Sequence, residues 1–214
     1  MIGLTFDRPL ETVVCLGAHP DDIEIGAAGT LRRLADRHSD ARFTFVVLTG
    51  DQRRRVEAEE SMRSLLGNRA TLHMGTFRDG YLPYEDPAAV KDFLKQISDL
   101  SAAQVVFAPN EWDRHQDHSF VARLTNQILR DHFVLGYEVV KYDGGLGSPQ
   151  VFVALTADEA QAKEEHLASH FASQQTKHWY TSDGFRALMR IRGIESNSPS
   201  GFAEAFYVAK LVLE

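Results

Sequence analysis

Short runs of apolar, often β-branched residues alternate along the chain with stretches whose apolar positions recur at helical spacing. That alternation is the sequence form of βαβ units and predicts an α/β fold with a mainly parallel sheet. The first run, Thr12 to Gly17, is apolar on both faces, as a central parallel strand requires. A helix is predicted from about Ile23 to His38, with Ala27, Leu31, Leu34 and Ala35 on one face. Arg42 to Thr49 reads as the second strand. A charged helix follows from about Arg53 to Leu66, stopped by Gly67-Asn68.

Ala70 to Met74 reads as a short third strand, and "TFRDGYLPYEDP" (76–87) as a turn-rich loop suited to walling a pocket. A helix from about Ala88 to Leu100 leads to the strand "QVVFAP" (104–109). The polar, irregular "NEWDRHQDH" (110–118) then precedes a helix with Phe120, Val121, Leu124 and Ile128 on its apolar face. Strands near Tyr137–Tyr142 and Val151–Leu155 are expected to close the sheet. Thr156 and Glu159 have capping-box spacing before a helix running to about Phe171. Residues 172–214 carry no readable period. Neither a repeat nor a linker interrupts the chain, so one domain over 1–214 is expected.

Composition narrows the function classes. The 214 residues carry a formal net charge of −7, which disfavours a broad nucleic-acid face; Arg53-Arg54-Arg55 is the one basic run. A single cysteine, Cys15, excludes an intramolecular disulfide and sits in an apolar strand, where it packs as a small hydrophobe. The N-terminal segment lacks the apolar core of a secretory signal, and no apolar stretch approaches ~18 residues. The expected compartment is the cytoplasm, with no transmembrane segment. A homo-oligomer is compatible with the sequence.

Ligands of open α/β sheets bind beyond the carboxyl ends of the strands. Two histidine–acid clusters fall there: "HPDD" (19–22) after the first strand and "HQDH" (115–118) after "QVVFAP". Catalytic zinc takes three protein ligands and leaves one position open. His19 and Asp22 lie three apart across a turn stiffened by Pro20, so both can face one ion. Asp21 would then stand beside it, placed to take a proton from an activated water. The second cluster can add a third ligand and a spare imidazole, with Asp117 orienting one of its rings. Taken alone, "HPDD" is equally a helix N-terminal turn whose carboxylates cap free N–H groups. Taken alone, "HQDH" is a polar loop. Their convergence on one sheet edge favours the ion.

Other features are weaker. Gly26 and Gly29 match no phosphate-binding pattern and suit close helix-to-sheet packing. His166 and His170 are i, i+4 on a helix but lack the glutamate of H-E-x-x-H. His38, His73, His132 and His178 read as surface or structural residues. Trp112 borders the second cluster and suits either ring stacking or wall packing; Trp179 and Tyr180 are candidates for a lid.

"GAHPDDIEIGAAGTL" resembles the first motif of the PIG-L / LmbE-like N-acetylglucosaminyl deacetylase superfamily, and "DRHQDH" its second. The resemblance extends to "RVEAEESMRSLLG" (55–67), "FRDGYL" (77–82), "HFASQ" (170–174) and "GFAEAF" (201–206). It implies a Rossmann-like three-layer α/β fold with a metal site at the carboxyl edge of the strands. It implies His19, Asp22 and His118 as ligands of Zn2+, a set that also accommodates Fe2+. Asp21 becomes the general base, His115 the residue that steadies the oxyanion or protonates the leaving amine, and Asp117 an orienting residue. Arg55 and Asp79 match positions that contact sugar hydroxyls, with Arg54 an alternative to Arg55 by a one-residue shift. Asp113 stands where some relatives carry a tyrosine. The implied activity is removal of an N-acetyl group from an N-acetylglucosamine-type amino sugar or sugar conjugate. The alternatives are an amidase on a sugar-thiol or antibiotic conjugate, a metal phosphohydrolase, or a non-catalytic sugar-binding protein. A second ion per chain marks the phosphohydrolase, whose sites often hold two ions about 3.5–4 Å apart.

Overall fold

A computed structural model describes residues 3–212; positions 1–2 and 213–214 of the expected span lie outside the described residues. Seven strands form one sheet in the order β3-β2-β1-β4-β5-β7-β6. The strands are β1 (Thr12–Gly17), β2 (Arg42–Thr49), β3 (Ala70–Phe77), β4 (Val105–Pro109), β5 (Phe133–Tyr137), β6 (Val151–Leu155) and β7 (Phe202–Val208). β1 to β5 pair in parallel, whereas β7 is antiparallel to both of its neighbours, β5 and β6.

Successive residues of β1 point to opposite faces and feed two cores. Val13 and Cys15 pack with Ile23, Leu31, Phe45 and Phe107. Val14 and Leu16 pack with Leu82, Val90, Leu94 and Val121. The first core lies under α1 (Asp22–Arg37), α2 (Gln52–Leu66), α6 (Ala157–His170) and α7 (Ser182–Glu195). The second lies under α3 (Pro87–Lys95), α4 (Asp99–Ala102) and α5 (Gln116–Ile128). The result is the three-layer Rossmann-like arrangement.

Five elements depart from the sequence reading. β3 runs on to Phe77, and α5 starts at Gln116, so Asp117 and His118 stand in its first turn rather than in a loop. The helix expected over 88–100 is two, because Gln96–Ser98 turn out of helical register and Asp99 is drawn to Thr44 Oγ1, 2.5 Å away. The strand expected near 137–142 is instead Phe133–Tyr137. It ends where Asn110 caps it: both the backbone N–H and the side-chain Nδ2 of Asn110 donate to the Tyr137 carbonyl, at 3.0 and 3.2 Å. The unread segment 172–214 contributes α7 and the strand β7, which slots between β5 and β6.

The strand order reverses beside β1: β2 and β3 lie on one side, β4 and β5 on the other. That switch point opens a crevice between the carboxyl ends of β1 and β4. Helix α1 approaches it closely because Gly26 faces the Tyr137 ring, where a Cβ would lie 2.3 Å from a ring carbon.

Candidate metal centre

The turn after β1 carries His19, Pro20 and Asp21 into α1. Thr49, at the end of β2, holds this turn from below: its N–H and its hydroxyl both donate to the Ala18 carbonyl, at 3.0 and 2.8 Å. Asp21 has φ 123°, a conformation that L-residues adopt only under strain. It occupies the N-cap position of α1, yet its carboxylate makes no cap hydrogen bond. The carboxylate instead accepts from Arg54 Nη2 at 2.8 Å. Asp22 likewise does not cap; its Oδ2 accepts the His19 N–H at 2.8 Å. A helix-capping reading of "HPDD" therefore fails at the atoms that matter.

Helix α5 supplies the facing side chains. His118 Nε2 lies 3.1 Å from Asp22 Oδ1 and 3.3 Å from His19 Nδ1. His19 Nδ1 lies 3.3 Å from Asp22 Oδ2. Donors about 2.0–2.1 Å from a tetrahedral ion stand about 3.3 Å apart, so the two nitrogens and the carboxylate have the spacing and chemistry that zinc takes. Looser groupings within 4.8 Å also bring in His115, Asp79 and Asp117. Each ring is oriented from behind. His19 Nε2 donates to Asp117 Oδ2 at 3.1 Å and lies the same distance from Asp79 Oδ1, which leaves Nδ1 for the triangle. His118 Nδ1 donates to Asp113 Oδ2 at 2.7 Å, which leaves Nε2.

Five carboxylates (Asp21, Asp22, Asp79, Asp113 and Asp117) thus surround the two imidazoles and the Arg54 guanidinium. Burial disfavours a charged His19, yet Asp22 and hydrogen bonds to Asp117, Asp22 and Asp79 outweigh it and hold the ring well above its usual range. His118 is raised against its own burial chiefly by Asp22. Burial pushes Asp21 up to about 6, opposed by Arg54. The hydrogen bond to His19 brings Asp79 down to about 2. His115, half-buried, is lowered to about 4 by burial and then by Lys141 and His118.

The sequence-derived residues do not all meet. His19, Asp21, Asp22, Asp79, His115, Asp117 and His118 line one crevice. Asp117, fully buried, serves a ring of the first cluster rather than its own: it pairs with His19 and also accepts the N–H groups of Gly80 and Leu82, at 2.7 and 3.1 Å. Arg55 points elsewhere, donating to the Met74 carbonyl and pairing loosely with Glu59. Arg54 instead faces the crevice from α2: its Nη2 lies 2.8 Å from Asp21 Oδ1 and its Nη1 3.6 Å from Asp79 Oδ2. Its Nε is buried without an acceptor among the described residues. Asp113, read in the sequence only as a departure from a pattern, is the partner of His118. His166, on α6, joins Ser61 Oγ of α2 at 2.8 Å and belongs to neither metal-suited grouping among the described residues. Trp112 is 72% exposed, so it does not pack into a wall, and Tyr180 is buried with its hydroxyl on the Leu167 carbonyl.

Fold and site together define an α/β protein with a candidate metal centre at the switch point of its sheet. The family described as "PIG-L: GlcNAc-PI de-N-acetylase" matches residues 14–129, and the chain belongs to it. It is 30% identical over 168 residues to the uncharacterized deacetylase YaiS of Escherichia coli, covering 74% of this chain and 89% of that protein. Its fold is similar to that of the N,N'-diacetylchitobiose deacetylase from Pyrococcus horikoshii, with TM-score 0.71, 24% identity, and 92% and 83% of the two chains covered. It is also similar to GalB, the 4-carboxy-2-hydroxymuconate hydratase from Pseudomonas putida, with TM-score 0.72, 15% identity, and 96% and 98% covered. A hydratase on this fold means that the reaction must be argued from the site. No helix among the described residues is long and apolar enough to cross a membrane.

Proposed function

We propose that the protein is a metal-dependent N-deacetylase that hydrolyses the N-acetyl group of an N-acetylglucosamine-type amino sugar or sugar conjugate. The observation that carries this reading is the His19–Asp22–His118 triangle with the uncapped Asp21 carboxylate beside it. Family membership supports the same reaction class. In this reading His19 Nδ1, Asp22 and His118 Nε2 hold zinc, and Asp117 and Asp113 keep the two rings turned toward it.

A dication held there supplies Lewis acidity to the acyl carbonyl and brings the pKa of the attacking water toward neutrality. Asp21 accepts the proton of that water as its oxygen attacks the amide carbon. Arg54 holds Asp21 in position, and Asp79, more than half exposed, offers an acceptor to a substrate hydroxyl. His115 Nδ1 accepts the Asp117 N–H at 3.3 Å, so the ring proton sits on Nε2, free to donate to the developing oxyanion. Asp21, having taken a proton, is the group able to return it to the leaving nitrogen. Amide and water thus become amine and acetate.

A screen of N-acetylated amino sugars and conjugates for released acetate tests the proposal, run with metal quantitation and with a chelator control. One metal per chain and chelator-sensitive acetate release are expected. Release that persists in metal-free protein sinks the metal-dependent mechanism.

A further inference from the structure

Lys141 has no part in the mechanism above, yet its side chain enters the centre. It follows β5 on the irregular stretch 138–150, where Gly144 and Gly145 take φ values of 70° and 97°. Its neighbour Tyr142 is clasped to the segment before α7 through a hydrogen bond between its hydroxyl and His178 Nδ1, 3.1 Å. From this anchored backbone the ammonium reaches inward and donates to His118 Nε2 at 2.7 Å. That nitrogen is a corner of the ligand triangle, and its second ring nitrogen is already spent on Asp113. The Lys141 ammonium therefore uses the one lone pair that His118 can give to an ion, and it supplies positive charge to a carboxylate-rich pocket.

An ammonium and a dication cannot share that lone pair. When the ion takes it, Lys141 is repelled from the ligands, but its stem keeps the charge within a side chain's length of them. In the deacetylase reading, the space one step outward from the ligand triangle would hold the acyl group.

Resting on the deacetylase reading, we propose that Lys141 is a substrate-facing residue of this centre: its ammonium competes with the ion for His118 and, once displaced, donates to the acyl oxygen. No earlier role assigned to the site requires it. The charge on that oxygen grows as the water attacks, so the contribution falls on kcat more than on KM.

Lys141→Met keeps the apolar stem and removes the charge. Zinc titration of the metal-free full chain against a chromophoric chelator is expected to show binding tighter by about tenfold in Lys141→Met than in wild type, a change of roughly 1.4 kcal/mol. With the zinc-loaded proteins and an N-acetyl amino sugar, kcat is expected to fall by about a hundredfold with KM within about threefold. Lys141→Arg, which keeps a cation, is expected to hold wild-type zinc affinity and more activity than the Met variant. Unchanged or weaker zinc binding in Lys141→Met overturns the proposal, and so does tighter binding with kcat intact. If wild type binds zinc but releases no acetate, the deacetylase reading fails, while the zinc comparison still decides whether Lys141 competes for His118.

Discussion

Arg54 Nη2 lies 2.8 Å from Asp21 Oδ1, and this contact turns the carboxylate away from the helix it precedes and into the crevice. Asp21→Asn keeps the size of the side chain and tolerates the positive φ. It is expected to keep one metal per chain while lowering kcat by about 10²–10⁴, the usual worth of a general base. Metal quantitation beside steady-state kinetics checks both halves, and turnover at the wild-type rate would remove Asp21 from the mechanism.

The neighbouring arginines should behave differently. Arg54→Ala frees Asp21 and removes the cation beside Asp79, so kcat should fall and KM rise, each by about tenfold or more, as expected for a lost charge-assisted hydrogen bond. Arg55→Ala removes only contacts to Met74 and Glu59 and should leave both constants within about twofold. Kinetics of the two variants on one substrate decide between them; the reverse pattern would place the sugar contact on Arg55.

Asp113 acts through His118. Asp113→Ala should weaken metal binding by about 10–100-fold, the usual effect of losing the group behind a histidine ligand. His118→Ala should lose the metal altogether at micromolar protein. Zinc affinity measured against a competing chelator tests the pair. Equal affinity in Asp113→Ala and wild type would mean that His118 is oriented by its packing alone.

His166 predicts a pH-dependent stability. Burial, then His170 and Arg32, lower its pKa to about 4 from an ordinary value near 6.5. Between those values the unfolded chain binds the proton that the folded chain refuses. The stabilisation is full above pH 6.5 and is lost as pH falls toward 4 and below. Urea unfolding at pH 7.5 and pH 4.5 should show a smaller acid loss in His166→Gln than in wild type. Identical losses would assign the acid sensitivity to other groups.

Gly26 is a packing requirement. A methyl group there would meet the Tyr137 ring at 2.3–2.5 Å, and that ring is pinned by its hydroxyl, which donates to the Leu16 carbonyl at 2.7 Å. Gly26→Ala should cost about 1–3 kcal/mol or more, measured by denaturant midpoint. The same displacement would loosen α1, whose first residue is Asp22.

Much of this was legible in the residues. The apolar runs of β1, β2 and β4 and the periodic faces of α1 and α5 announce themselves because each buries a continuous stripe, while α2 is marked by its Gly67-Asn68 stop and α6 by its capping box. β7 escaped because its Glu204, buried against Lys163 and the N–H groups of Gly29 and Thr30, interrupts the apolar pattern. The position of β5 escaped because the run from Phe133 to Val140 is longer than the strand. Only Asn110, distant in sequence, ends it at Tyr137.

The two histidine–acid clusters, their place after parallel strands and the resemblance to a deacetylase family came from the sequence by itself, because spacing across a turn and order along a strand are local properties. Which carboxylate backs which imidazole was decided only in three dimensions. Asp117 reaches across to His19 and Asp113 takes His118, pairings set by how α5 packs over β1 rather than by proximity in the chain. Arg54 and not Arg55 meets Asp21 because the N-terminal end of α2 turns one residue, and not the next, toward it. Lys141 enters the centre from the irregular stretch after β5 with no motif around it, and no local pattern could have marked it, since its partner lies on another element.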